Sequence, residues 1–257
     1  MNVDISKVES WWEEETKVET IPSESEIHRK SYSNRLVAWI DILGMRNLIK
    51  SDSKDAEDIF GVMEKLRNFV QVPCNSLAKA GKLHYTQIAD GFMIVADLEY
   101  ATEFCGILAD VQWRVFVECQ MLLRGAITAG KVSVSDDPQI IIGPAYVDAY
   151  MLESESAIYP RIILTNEFFK ETKDYLAFPY ISTDTDKEKY LDFLPYAFEK
   201  NGLDKKRVEH LLETQGVFRK LKNEINTSST SKGLGRNVAQ KYGWTISKLE
   251  MHNIKVR

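Results

Sequence analysis

Two short apolar runs, each holding a single carboxylate, constrain this chain more than any other feature. The first is Arg35-Leu-Val-Ala-Trp-Ile-Asp41-Ile-Leu-Gly44-Met-Arg46-Asn47, and the second is Gln87-Ile-Ala-Asp90-Gly-Phe-Met-Ile-Val-Ala96. Both read as strands, because the apolar residues run on over strand length and meet a glycine turn. A carboxylate in such a setting is costly unless it is hydrogen-bonded, ion-paired or bound to a cation. Whatever fold the chain adopts must give Asp41 and Asp90 partners, and one cation shared between them is the economical solution.

The pattern around them sets the topology. Residues 36–42 form a first strand that ends in a turn at Gly44. Ile59, Phe60, Met63, Leu66, Phe69 and Val70 recur at helical spacing across residues 56–70. Residues 81–88 form a second strand, Asp90-Gly91 a hairpin turn, and residues 92–96 a third strand. A long helix spans residues 100–122, a fourth strand residues 124–130 and a short fifth strand Gln139–Ile142. Pro144 then opens a helix to about Glu155, and residues 162–164 form another strand. The order β-α-β-β-α-β, followed by β-α-β, predicts an α+β chain with a ferredoxin-like core and an extension. Beyond Asp184 the chain becomes charged and helical (203–225 and 236–253). The expected organisation is an N-terminal docking arm over 1–33 carrying Trp11-Trp12, a main body over 34–183, and a C-terminal helical extension over 184–257.

Several classes are disfavoured. A net charge of −5 is a poor match to a general nucleic-acid binder. No apolar run approaches the ~20 residues that span a bilayer, and the acidic start lacks a signal-peptide layout; a cytoplasmic chain is expected. Cys74, Cys105 and Cys119 are widely spaced and read as core residues rather than redox centres. His28, His84, His210 and His252 form no zinc pattern.

In a β-α-β-β-α-β sheet the end of the first strand lies beside the turn between the second and third. Asp41 and Asp90 can therefore meet although 49 positions separate them. An oxygen-only pair suits Mg²⁺ or Mn²⁺ rather than zinc. The plainer alternative is that Asp41 accepts from turn amides and Asp90 caps the hairpin. Glu153 and Glu155 read as solvated helix-end charges, and Tyr146 and Tyr150, one turn apart, as interface or core residues.

A strand ending in Asp-Ile-x-Gly, a helix beyond it and a second Asp in the β2–β3 hairpin resemble the catalytic domain of class III nucleotidyl cyclases, over residues 36–165. The resemblance implies two divalent cations per site, held by Asp41, Asp90 and the backbone carbonyl of Ile42. It also implies that the turn Leu43-Gly44-Met45-Arg46 offers amides to a triphosphate, and that two chains assemble head to tail. The purine cyclases' specific positions fall here on Thr86, Ile140, Val147 and Met151, so neither purine code is present and the usual helix arginine is missing.

The further motifs Leu-Arg124-Gly-Ala-Ile-Thr-Ala-Gly130, Gly143-Pro-Ala-Tyr146-Val-Asp-Ala-Tyr150 and Tyr159-Pro160-Arg161-Ile162 are similar to the pyrimidine cyclases of Pycsar anti-phage systems. That similarity implies a lyase converting UTP, or in some clades CTP, to a 3′,5′-cyclic monophosphate read by a separate effector. Cyclisation wants an arginine at the phosphates; Arg124 is the first candidate, Arg161 the second and Arg46 the third. Arg124 has the alternative of a structural ion pair. Thr86 is the candidate base contact, and Tyr85 points the other way by strand alternation. A non-catalytic nucleotide-binding or dimerisation module on the same fold is the competing expectation.

Overall fold

The computed structural model describes residues 31–49, 55–136, 139–229 and 234–256; the arm with Trp11-Trp12 lies outside them. From residue 32 onward the chain is one compact unit. Strand β1 (Ser33–Leu43) leads through a five-residue helix α1 (Met45–Ile49) to α2 (Ala56–Lys79). Strands β2 (Leu83–Ile88) and β3 (Gly91–Ala96) form the hairpin. Helix α3 (Ala101–Glu118), β4 (Leu122–Asp136), β5 (Gln139–Ile142), α4 (Pro144–Glu155) and β6 (Ile162–Leu164) follow.

The strand order is β2-β3-β1-β4-β6-β8-β7, with β5 paired to β4. Its first four members are the order a ferredoxin-like β-α-β-β-α-β core requires, all antiparallel, with β6 joining β4 in parallel. The expected α+β fold class is what the chain adopts. Alternation along the strands gives the sheet two faces. Leu36, Ala38, Ile40 and Ile42 face the main core with α2 and α3, which includes the buried Cys74 and Cys105. Val37 and Trp39 face the other way, with Met93, Val95, Val132 and Ala145 and Ala149 of α4.

Three features go beyond the sequence reading. Helix α2 continues through Pro73 to Lys79, because the buried Val70 and Cys74 hold its last turns against the core. Beyond β6 lie α5 (Asn166–Thr172), the hairpin β7 (Ile181–Thr183) and β8 (Lys189–Leu191), and α6 (Phe193–Lys200). The helix expected over 203–225 is two, α7 (Lys205–Thr214) and α8 (Val217–Ser229), separated at Gln215-Gly216. The last helix, α9, is Leu234–Met251. Among the described residues no helix is long and apolar enough to cross a membrane.

The β1–β4 contact is tight enough to be tested. A Cβ at Gly125 would lie 2.5 Å from the Trp39 carbonyl oxygen and 2.8 Å from Ile40 Cγ2. The Gly125→Ala variant is expected to lose about 2–3 kcal/mol, since neither backbone can yield without breaking the ladder. Thermal unfolding should show a melting temperature lower by roughly 5–10 °C; an unchanged melting temperature would contradict this packing.

Candidate functional site

The odd-numbered residues of β1 carry Val37 and Trp39 into the smaller core and bring Asp41 out just beyond it, at the strand end. Asp41 stands opposite Arg124, near the start of β4. Its Oδ2 lies 3.5 Å from Arg124 Nη2, and both side chains are 21% exposed. Arg124 also faces the Glu153 carboxylate through Nε, and its Nη1 donates to the Ala157 carbonyl at 3.5 Å. The guanidinium thus ties the end of β1 to α4, which is the ion-pair arrangement anticipated as its alternative role.

Glu153 is buried, not a solvated helix-end charge; Glu155, two residues on, is exposed. The reason lies in α4 itself. Ala145, Ala149 and Glu153 recur every four residues and are its buried positions, so the stripe that seats the helix on the sheet delivers a carboxylate at its end. The outward side of α4 carries Val147, Tyr150 and Met151, all exposed, and the Tyr150 ring meets Trp39 edge-on at 5.5 Å.

Charge couples these groups. Burial pushes the Asp41 carboxyl up and the negative charge of Asp90 pushes it further, against Arg124 and the Ile42 amide. Burial likewise raises Glu153, opposed by Arg124 and by a hydrogen bond from Trp39. A fifth charged group was missed in the sequence reading. Lys241 of α9 is half-buried, and its ammonium is pushed down by burial and by Arg124 while Glu153 and Asp41 oppose that shift.

Asp90 reaches this place on a braced turn. Arg67 Nε donates to Gln87 Oε1 at 2.9 Å, and Gln87 Nε2 donates to the Ala89 carbonyl at 3.2 Å. Ala89 sits at φ +54°, a left-handed conformation that costs an alanine roughly 1–2 kcal/mol. Next to it, a Cβ at Gly91 would lie 2.5 Å from the Trp39 ring. The Asp-Gly pair therefore passes closely over Trp39 and sets Asp90 within electrostatic reach of Asp41.

The remaining sequence candidates divide. Thr86 is half-buried and registers with Met93, which registers with Trp39; it shares Asp41's face but lies two strands away. Tyr85 packs on the main core. Leu43, Gly44 and Met45 form the turn into α1, a helix of only five residues; the Arg46 side chain lies outside the described part. Arg161 requires a correction. Its side chain is 0% exposed and is taken up by Asp184 and Asp186, at 2.5 Å for Nη1 to Asp184 Oδ2. A guanidinium enclosed in this way has no donor to present to a substrate phosphate.

Among the described residues no group of three or more His, Cys, Asp or Glu side chains could hold a metal. Two coupled carboxylates, Asp41 and Asp90, still fit Mg²⁺ or Mn²⁺ chemistry. Such ions use one or two protein carboxylates and complete their octahedron with water and substrate phosphates. The mutual repulsion that raises Asp41 is what a shared dication would remove.

No protein-family model matches the chain, and no curated protein matches it significantly. Solved structures do. The monomeric guanylyl cyclase domain of the RhoGC fusion protein from the aquatic fungus Blastocladiella emersonii aligns over 63% of this chain and 95% of its own, at 17% identity and a TM-score of 0.50. A bacterial light-regulated adenylyl cyclase aligns over 64% of this chain and 52% of its own, at 12% identity and a TM-score of 0.48. The chain has the fold of class III nucleotidyl cyclase domains.

Proposed function

We propose that this protein is a divalent-metal-dependent nucleotidyl cyclase that converts a pyrimidine nucleoside triphosphate, UTP in preference to CTP, to its 3′,5′-cyclic monophosphate. The observation that carries the proposal is the pair Asp41 and Asp90, electrostatically coupled beside Arg124 at one end of a cyclase-fold sheet.

In the reaction the 3′-oxygen loses its proton and bonds to the α-phosphorus. The bond from that phosphorus to the α,β-bridging oxygen breaks, and pyrophosphate leaves. Two Mn²⁺ or Mg²⁺ ions, held by Asp41, Asp90 and the Ile42 carbonyl, would lower the pKa of the 3′-hydroxyl and neutralise the polyphosphate. The chain's own residues do the rest. Asp41 and Asp90 fix the reacting end against the sheet, and the Leu43-Gly44-Met45-Arg46 turn offers amides to the phosphates. Arg124, held from behind by Glu153, presents its guanidinium to charge developing at the α-phosphoryl group. Thr86 lies on the same face and is the proposed contact to the base.

The pyrimidine choice is supported by what occupies the purine-reading positions: Thr86 on the sheet, and the exposed apolar Ile140, Val147 and Met151. Exposed apolar side chains also stand at Ile142 of β5, Tyr150 of α4 and Ile158 just beyond that helix. A surface of this kind fits a second copy of the chain, so the working enzyme is a homodimer with sites at its interface. The product would act in the cytoplasm as an anti-phage signal read by a separate effector.

Incubation of the protein and Mn²⁺ with each of the four common ribonucleoside triphosphates, read by mass spectrometry, tests the proposal. Cyclic UMP as the main product is expected. Cyclic CMP in its place would reassign the base, and no cyclic product from any triphosphate would overturn the enzyme reading in favour of a nucleotide-binding module. The paired state of Arg124 is the observation that favours that second reading.

A further inference from the structure

We propose that Lys241, carried on the C-terminal helix α9, is a phosphate-binding residue of the same site and contacts the polyphosphate beside Arg124. This deepens the cyclase reading above and rests on it.

Helix α9 is fastened to the end of the sheet where the site lies. Trp244 stacks on Tyr159 with ring centroids 5.9 Å apart and planes 13° from parallel. Its indole N–H donates to Asp184 at 2.6 Å, and Lys248 Nζ binds the other oxygen of the same carboxylate at 3.1 Å. Trp244 and Thr245 also line a small cavity with Leu122, Leu123 and Pro160. Those residues lead directly into Arg124 and Arg161, so α9 crosses the chain just where β4 and β6 begin. Lys241 lies one turn before Thr245, whose hydroxyl donates to the Lys241 carbonyl at 3.1 Å, and it shares the helix face of Thr245 and Lys248, which line that cavity. Its half-buried ammonium is within electrostatic reach of Arg124, Glu153 and Asp41.

The placement is expensive as it stands. The ammonium is partly desolvated, its largest charged neighbour is a second cation, Arg124, and among the described residues it has no hydrogen-bond or ion-pair partner. Arg124 by contrast is engaged by two carboxylates. When dications occupy Asp41 and Asp90, the charge of Asp41 is spent on them. Arg124 and Lys241 then face one remaining carboxylate, Glu153. An anion of high charge density balances such a site, and a nucleoside polyphosphate is the one the neighbouring chemistry calls for. Helix α4, whose sequence holds no Lys or Arg, cannot supply that cation. Thus the C-terminal helix completes the site rather than merely covering the sheet.

The test uses the full chain with Lys241→Met and Lys241→Arg. Calorimetric titration with inorganic pyrophosphate in Mg²⁺ should show binding to the wild type, affinity lower by about tenfold or more in K241M, and near-wild-type affinity in K241R. With UTP and Mn²⁺, K241M should lower kcat/KM by about 10–100-fold. The melting temperature of K241M should equal or exceed that of the wild type, because no partner is lost and the cost of the half-buried ammonium is relieved.

Pyrophosphate binding that is absent in the wild type, or equal in wild type and K241M, overturns the proposal. A loss shared by K241R and accompanied by a lower melting temperature marks a structural lysine and overturns it too. The two readings can fail separately. Normal cyclase turnover in K241M removes the lysine and leaves the cyclase. Loss of pyrophosphate binding in K241M, in a protein that cyclises no triphosphate, keeps the anion site and removes the cyclase.

Discussion

Replacing Asp41 or Asp90 by asparagine is expected to lower cyclase turnover by about 10³-fold or more, while the melting temperature stays at or above that of the wild type. The first half follows from the role proposed for the pair. The dication the pair would hold would lose a charged ligand, and with it the several kcal/mol it would supply to the transition state. The second half follows from electrostatics. Burial and Asp90 hold the Asp41 carboxyl above its usual range, so its charged form is a burden on the folded chain. The Arg124 contact it would lose is 3.5 Å long and partly exposed, and a pair of that kind contributes little.

The sign in pH is fixed by the same shift. An acid whose pKa rises on folding stabilises the folded state only while protonated. The metal-free wild type should therefore lose stability as pH rises from about 4 through the raised Asp41 pKa, and D41N should not. Steady-state rates with Mn²⁺, together with thermal scans with and without metal, read both halves. The wild type should gain stability on adding Mn²⁺ by mass action and the variants should not. A variant that keeps most of its rate would remove that aspartate from the site.

The second large effect lies away from Asp41. Asp184→Asn is expected to cost about 3–4 kcal/mol and to lower the melting temperature by roughly 10 °C. The Asp184 carboxylate is buried and receives Arg161 at 2.5 Å, Trp244 at 2.6 Å and Lys248 at 3.1 Å. An asparagine leaves two buried cations short of charge. Burial alone would raise the pKa of Asp184. The Trp244 N–H, the Thr185 amide and Lys248 outweigh it and bring the value down to about 2. Here the pKa falls on folding, so the stabilisation is complete above the unfolded value near 4 and is lost as pH falls from there through about 2. Because this carboxylate is what fastens α9, hydrogen exchange in α9 should quicken in D184N before exchange in β1 or β4 does. Full stability in D184N would mean that the cluster contributes nothing net to the fold.

The two carboxylate systems differ in how far they could be read in the sequence. Asp41 and Asp90 stand in continuous apolar runs beside glycine turns, and such local patterns specify strands and hairpins directly. Glu153 was legible in principle: Ala145, Ala149 and Glu153 at four-residue spacing mark one buried stripe, but a glutamate at a helix end resembles an ordinary solvated charge. Arg161 was misjudged because Asp184 and Asp186, which enclose it, come from a hairpin more than twenty residues on. Strands β7 and β8 are three residues each, too short for alternation to register, and they form because β6 presents an open edge to them.

Thus the sequence by itself determined the order of the four core strands, the two faces of the sheet and the costly carboxylates at its end, since each follows from period and turn chemistry over a few residues. The tertiary structure alone decided which cation meets which anion. Arg124 went to Asp41 and Glu153, Arg161 to Asp184 and Asp186, and Lys241 to the edge of the site with no partner among the described residues. Charge pairing depends on distances between residues far apart in the chain, and only the packed sheet with α4 and α9 laid against it sets those distances.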